Sequence, residues 1–391
     1  MRTLRPPVAK IAHDVQVCSR GTDDLSDPRE NALLNVEESR IMNLMKRRRA
    51  RGGLAIVAVI ATAIPLSACT TSPDDSGFES DTVVFADYGG TTRAARLQSF
   101  FGPFSTDTGV PVVSADADPA KLFLFAENGA AEWDAIDLDA WDVIRFADEG
   151  LLAELPDDVT RVSLVPEEFQ TYATGGYNAS TGIGFNTETS EAPTGWADFF
   201  DTDAFPGKRA VPSFAYFQAE AALLADGVEC EALYPLDFDR AFEKLDTIRD
   251  DLLFYDSFGQ GIQYLSQKSV VLGLIQNGRV SAVQDQGLPL GFAWDEAFFT
   301  WTASAMPADA PHPDTAAALI DAMSQAEAQA SFARITKYGP MNPDALDLLD
   351  AETLERLPNA HQDVACTPDP AGLAADIDEY NTRYADWLSQ G

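Results

Sequence analysis

Histidine and cysteine are nearly absent from this chain of 391 residues, which holds three of the first and four of the second. With only His312 and His361 beyond the first seventy residues, no ligand cluster forms at a recognised spacing, and no metal site is expected. Basic residues are scarce too, 27 Lys+Arg against 62 Asp+Glu; 16 and 55 of these lie from Cys69 onward, giving that part a formal charge of −39 against −35 for the whole chain. Nucleic acid and anionic membrane surfaces would repel such a body and a cationic ligand would be attracted, although the same acidity also simply keeps a protein soluble. Long apolar runs are missing. Leu54 to Leu66 is 13 residues broken by Thr62 and Pro65, whereas crossing about 30 Å of hydrocarbon takes roughly 20. Catalytic signatures are missing as well: there is no G-x-S-x-G elbow, no H-E-x-x-H and no P-loop. Acid pairs such as Asp137/Asp139 and Asp295/Glu296 arise by chance in so acidic a chain, and Asp116/Asp118 and Asp201/Asp203 lack the Gly and terminal Glu of a calcium loop. No catalytic residue, cofactor or metal is therefore expected.

What is present begins with Lys46, Arg47, Arg48, Arg49 and Arg51 ahead of that short apolar run, which then meets Ser67, Ala68 and Cys69. Basic, apolar and small-residue regions in this order make a signal peptide over 42–68, and Leu66-Ser67-Ala68-Cys69 resembles the bacterial lipobox. Cys69 is thus expected to carry lipid, with 69–80, rich in Ser, Asp and Thr, as a flexible tether. That fate exports the chain and anchors it to the outer face of the cytoplasmic membrane. Residues 1–41 show no apolar periodicity and read as an upstream extension or a disordered segment, with the true start at Met42 or Met45. With Cys18 in this leader and Cys69 lipidated, Cys230 and Cys366 remain as a disulfide pair in an oxidising compartment; two free buried thiols are the alternative.

The chain as a whole is 46% hydrophobic and 23% charged, a globular balance. Periodicity gives strand 82–86, helix 92–105, strand 110–114, helix 119–130, strand 133–138 and helix 140–149, closed by Gly150. This βαβαβα order predicts a mostly parallel sheet with helices on both faces. A second unit repeats the theme with strand 182–186, helix 196–200, strand 209–211 and helices 215–226 and 237–251. Short strands are expected at 270–275, 281–284 and 298–305, and helices at 314–324, 325–335, 343–349 and 372–388. Two α/β units without a low-complexity linker predict two lobes and a cleft between them for a small-molecule ligand.

Several segments then resemble, in order, the spermidine/putrescine-binding type of ABC-importer solute-binding protein, a type II periplasmic binding protein. They are Thr82-Val83-Val84-Phe85-Ala86-Asp87-Tyr88-Gly89-Gly90, Phe104 to Val113 with Thr108-Gly109-Val110, Trp133-Asp134-Ala135-Ile136, and Glu149-Gly150-Leu151-Leu152-Ala153-Glu154-Leu155. Gly182-Ile183-Gly184-Phe185-Asn186, Pro193-Thr194-Gly195-Trp196-Ala197-Asp198 and Lys337-Tyr338-Gly339-Pro340-Met341-Asn342-Pro343 continue the series. The resemblance implies an α/β fold of two lobes joined by crossover strands, lobe one being 81–183 plus 300–340 and lobe two 184–299 plus 341–391. Both cysteines of the pair then fall in lobe two. It implies a monomer that captures a small organic solute, a polyamine or related amine, by lobe closure and delivers it to a permease and ATPase. The alternatives are an anchored sensor or interaction protein of the same fold and, behind it, an extracellular hydrolase.

Carried over residue by residue, the ligand positions fall on Tyr88, Asp139, Trp141, Phe214, Phe217, Gln276, Thr300, Thr302 and Tyr338. Aromatic faces suit an amine, a cation over a ring being worth roughly 0.5–2 kcal/mol, although each could equally pack a core. One departure stands out: acidic positions of the polyamine binders align with Phe214, Phe217 and Thr302. A buried ammonium without a carboxylate is costly, so Asp139 and Asp285 are the candidate replacements, unless they are solvated loop or cap residues. Mono-amines and opine-like compounds then enter the ligand range.

Overall fold

The computed structural model describes residues 82–390 apart from Ser163. The signal peptide, Cys69, the tether and the upstream extension lie outside the described residues. Among those described, no helix is long and apolar enough to cross a membrane.

Among the described residues, nine strands form a single sheet: β1 Val83–Asp87, β2 Val112–Asp116, β3 Ala135–Asp139, β4 Ala173–Asn186, β5 Arg209–Pro212, β6 Leu252–Tyr255, β7 Leu272–Gln276, β8 Leu290–Ala305 and β9 Gly339–Pro340. The order is β2-β1-β3-β8-β4-β7-β5-β6, with β9 on β4. β1 pairs in parallel with β2 and β3, and β5 pairs in parallel with β6 and β7. These two parallel groups are the expected α/β units. Each is completed by a length of β4 and β8, which run antiparallel to one another through both halves. One end of this pair meets β3 through 302–305 of β8, and the other meets β7 through 181–185 of β4.

Separate apolar clusters accompany the two groups. Phe85, Phe101, Ile136 and Leu138 belong to clusters around β1 and β3, and Val211, Phe217, Leu274 and Tyr255 to clusters around β5 and β7. Helical spacing puts Ala140, Trp141, Val143, Ile144 and Phe146 on the buried side of the Ala140–Asp148 helix. A buried Arg96–Asp137 ion pair lies within the first group, its guanidinium over the rings of Phe85, Tyr177 and Phe332.

Between Ala293 and Phe298 the register of β8 on β4 jumps, so that Trp294 to Ala297 bulge out opposite Gly182. A Cβ at Gly182 would meet the Ala293 carbonyl and the Ala297 methyl at 2.9 Å, which leaves room only for glycine. The chain 364–366 takes up the bulge: Glu296 N donates to Val364 O, Cys366 N to Ala297 O and Phe299 N to Cys366 O. Cys366 is disulfide-bonded to Cys230, Cα to Cα 5.6 Å, as expected from the cysteine inventory.

Residues 281–284, read from sequence as a strand, are the end of the Asn277–Gln284 helix. Four residues alternating apolar and polar do not distinguish the two periods. Strand β6 and the Phe258–Ser266 helix that follows it were not anticipated, and β4 begins nine residues earlier than its Gly-Ile-Gly-Phe core suggested.

Candidate ligand-binding site

A cavity of about 890 Å³ lies where the carboxyl ends of β1, β3, β5 and β7 face one another, the position at which open α/β sheets take ligands. Three junctions of strand with helix contribute to its wall, and Asp118 and Asp256 add carboxylates from the loops after β2 and β6.

The first is the turn from β3 into the Ala140–Asp148 helix. Asp139 occupies the N-cap with extended backbone, yet its carboxylate makes no capping hydrogen bond. An aspartate there ordinarily accepts from the first turn; here it faces the cavity. Burial, and then the charge of Asp142 one turn on, push Asp139 up to about 8, and only the Tyr88 hydroxyl pulls the other way. Asp142 is itself raised to about 7 by burial; Arg145 opposes the shift and Asp378 adds to it. Two carboxylates thus share one wall, and among the described residues no cation is bonded to either.

The second is the turn from β7 into the Asn277–Gln284 helix. Gln276, at the N-cap, does not cap either. Its amide nitrogen donates to Tyr216 Oη at 2.7 Å and its oxygen accepts from Tyr338 Oη at 2.9 Å. Arg279, one turn on, lines the cavity. Its Nη1 donates to Thr91 Oγ1 at 3.4 Å, and its buried Nε has no partner among the described residues. A side chain at Gly90, where φ is +65°, would meet Nη1 at 2.5 Å, so glycine is what lets the guanidinium approach the loop after β1.

The third is the segment after β5. It carries Phe214, 38% exposed, and Tyr216, whose ring meets Trp141 edge-on at 6.2 Å and Phe258 at 5.2 Å. Tyr88, from the loop after β1, completes the wall with a buried hydroxyl directed toward the Asp139 carboxylate.

Of the positions expected from sequence, Tyr88, Asp139, Trp141, Phe214 and Gln276 line this cavity. Tyr338 stands behind it, stacked on Tyr177 at 4.7 Å and holding Gln276. Phe217 is buried in the core, stacked on Phe298 at 4.9 Å. Thr300 and Thr302 are buried in β8, with Thr302 Oγ1 directed to the Tyr177 carbonyl. Asp285 is away from the cavity, 2.8 Å from an Arg356 nitrogen. Asp142, Arg145, Tyr177, Tyr216 and Arg279 line the cavity and were not anticipated. Reading 281–284 as a strand concealed the helix that presents Arg279, although its spacing of three from Gln276 was visible. No cluster of three or more metal-ligating side chains occurs among the described residues.

A bacterial extracellular solute-binding protein family model matches residues 102–362. A γ-aminobutyric acid-binding protein of Pseudomonas aeruginosa is 32% identical over 294 residues, covering 72% of this chain and 83% of that protein. A solved GABA receptor is 32% identical with a TM-score of 0.73, covering 79% of this chain and 98% of its own. The agropinic acid complex of a binding protein from A. tumefaciens R10 is 28% identical, also at 0.73, covering 80% of this chain and all of its own. The chain belongs to the bacterial extracellular solute-binding proteins of ABC importers, non-catalytic carriers of small organic molecules with the two-lobed type II fold.

Proposed function

We propose that the ligand is a small zwitterion with its amine and carboxylate several bonds apart, of the γ-aminobutyrate kind, rather than a polyamine. The observation that carries this is that the cavity holds charge of both signs: Asp139 and Asp142 come from the β3 junction, where Arg145 is paired with Asp378, and Arg279 comes from the β7 junction. An ammonium set against the two carboxylates would stabilise the charged forms that burial disfavours. A carboxylate is the natural partner of a guanidinium whose Nε is unsatisfied. The aromatic rings of Trp141 and Tyr216 would cover the methylenes between them. A diamine would instead place its second cation toward Arg279. Names of relatives point the same way, since two of them bind γ-aminobutyrate.

In this reading the lobes close on solute by bending β4 and β8 where their register shifts, near Gly182 and Phe298. The closed form is read by a permease, and Cys69 tethers the whole to the membrane. A thermal-shift series with γ-aminobutyrate, putrescine and butyrate tests the ligand class. A ligand at a hundredfold excess over its Kd stabilises by about 2.7 kcal/mol. γ-Aminobutyrate alone is expected to raise Tm; a rise with putrescine and none with γ-aminobutyrate would return the ligand to the polyamines.

A further inference from the structure

The aromatic segment 213–217 has no regular secondary structure, yet it supplies Phe214 and Tyr216 to the cavity. Phe217, the next residue, has a left-handed backbone, φ +67°, which is uncommon for a bulky side chain. Something outside the segment must hold it. Gln218, 1% exposed, folds its side chain back along the segment. Its Oε1 accepts from Tyr216 N at 2.6 Å and from Tyr380 Oη at 2.9 Å. Its Nε2 donates to Pro212 O at 3.0 Å and to Phe214 O at 2.7 Å. All four hydrogen-bonding capacities of one carboxamide are used, three of them on the segment and the strand end before it. Tyr380 Oη in turn accepts from Ala219 N at 2.7 Å, and Tyr384 Oη donates to the same Pro212 carbonyl at 2.7 Å. Both tyrosines lie on the Pro370–Ser389 helix, which itself lines the cavity through Ile377 and Asn381.

We infer that Gln218, locked by Tyr380, is a positioning residue that sets the aromatic wall of the binding cavity. It touches no ligand. It fixes the backbone of Phe214 and Tyr216 before ligand arrives, so that closure does not have to order them, and it ties that wall to the C-terminal helix. Loss of this preorganisation costs affinity without removing any contact. The sequence gives the reason for glutamine: a carboxamide offers two donors and two acceptors, and glutamate at the same length would keep the acceptors and lose both donors.

The inference rests on the assignment of this cavity as the ligand site, and its test has one arm that needs no ligand. In Gln218→Leu, the Tyr216 amide loses its acceptor, so its hydrogen exchange in the ligand-free protein is expected to speed up roughly tenfold or more, while amides of β5 and β7 keep theirs. In the binding arm, calorimetry with γ-aminobutyrate is expected to give a Kd raised roughly tenfold in Gln218→Leu and less in Tyr380→Phe, and Gln218→Glu is expected to fall with the leucine variant. Should Gln218→Leu not fold, Tyr380→Phe carries both arms, since it removes one hydroxyl and keeps the ring. Unchanged Tyr216 exchange in a folded variant overturns the inference, as does an affinity within about twofold of wild type. If wild type binds no γ-aminobutyrate, the ligand assignment fails and the exchange arm alone decides the role of Gln218.

Discussion

Asp139 combines a helix N-cap position with a carboxylate that does no capping and lines the cavity instead. Its elevated value has a consequence with a definite sign. A carboxyl group whose folded pKa, about 8, exceeds its unfolded one, 3.8, binds its proton more tightly when folded. Its contribution to stability is therefore present at low pH and falls as pH rises from the unfolded value through the folded one. Ligand ammonium would take the proton's place, so affinity should move oppositely, rising from about pH 6 to pH 8 and levelling above. Asp142, with Arg145 and Asp378 beside it, is raised to about 7 and titrates within that window. Asp139→Asn is expected to weaken γ-aminobutyrate binding about tenfold or more and to flatten both slopes relative to wild type; calorimetry and thermal unfolding across pH measure them. A second residue-scale expectation concerns the core. Asp137→Ala strands the buried Arg96 guanidinium and should lower unfolding free energy by about 3–5 kcal/mol in urea titration, whereas a change below about 1 kcal/mol would mean that the pair is solvated. Tyr88, Asp139 and Trp141, placed by the family resemblance, line the cavity because each stands at or just past the end of a strand. Arg279 was not legible in the sequence, because nothing local distinguishes a guanidinium that reaches across to Gly90 from one that points to solvent.

At the scale of elements, β4 and β8 are 14 and 16 residues long, and that length lets each serve both halves of the sheet. Sequence reading found the C-terminal part of each strand, 182–186 and 298–305, and lost the rest. Thr174, Asn178, Ser180 and Thr181 are polar residues wholly buried in β4, so an alternation of polar and apolar could not mark it. Helices with a clear apolar stripe, such as Ala140–Asp148 and Trp196–Phe200, were recovered at or close to their bounds. The bulge of β8 depends on a segment about seventy residues away in sequence, 364–366, which only the disulfide hinted at. Cys230 and Cys366 are 136 residues apart, and a bridge of that kind stabilises by about 2–4 kcal/mol through the unfolded chain. Replacing both cysteines by serine should remove about that much in denaturant unfolding and loosen the amides of Glu296 and Phe299, which donate to the bridged segment. Unaltered exchange at these two amides would show that the strap holds the bulge without its covalent tie.

For the whole molecule, two parallel groups of strands meet at a cavity to which the β3 junction brings Asp139, Asp142 and Arg145 and the β7 junction brings Arg279. The two-unit organisation could be read from βαβ order alone, because parallel strands need helical crossovers of recognisable length. The ligand class could not, since it depends on which charges the fold brings together from residues 140 positions apart, Asp139 and Arg279. The account is tested most directly by titration calorimetry of the wild-type protein with γ-aminobutyrate and, separately, with putrescine near neutral pH. γ-Aminobutyrate is expected to bind at least about tenfold more tightly than the diamine, with proton release seen as a buffer-dependent heat. Putrescine binding the more tightly, or γ-aminobutyrate binding without proton release, would contradict the assignment of opposite charges to opposite ends of one ligand.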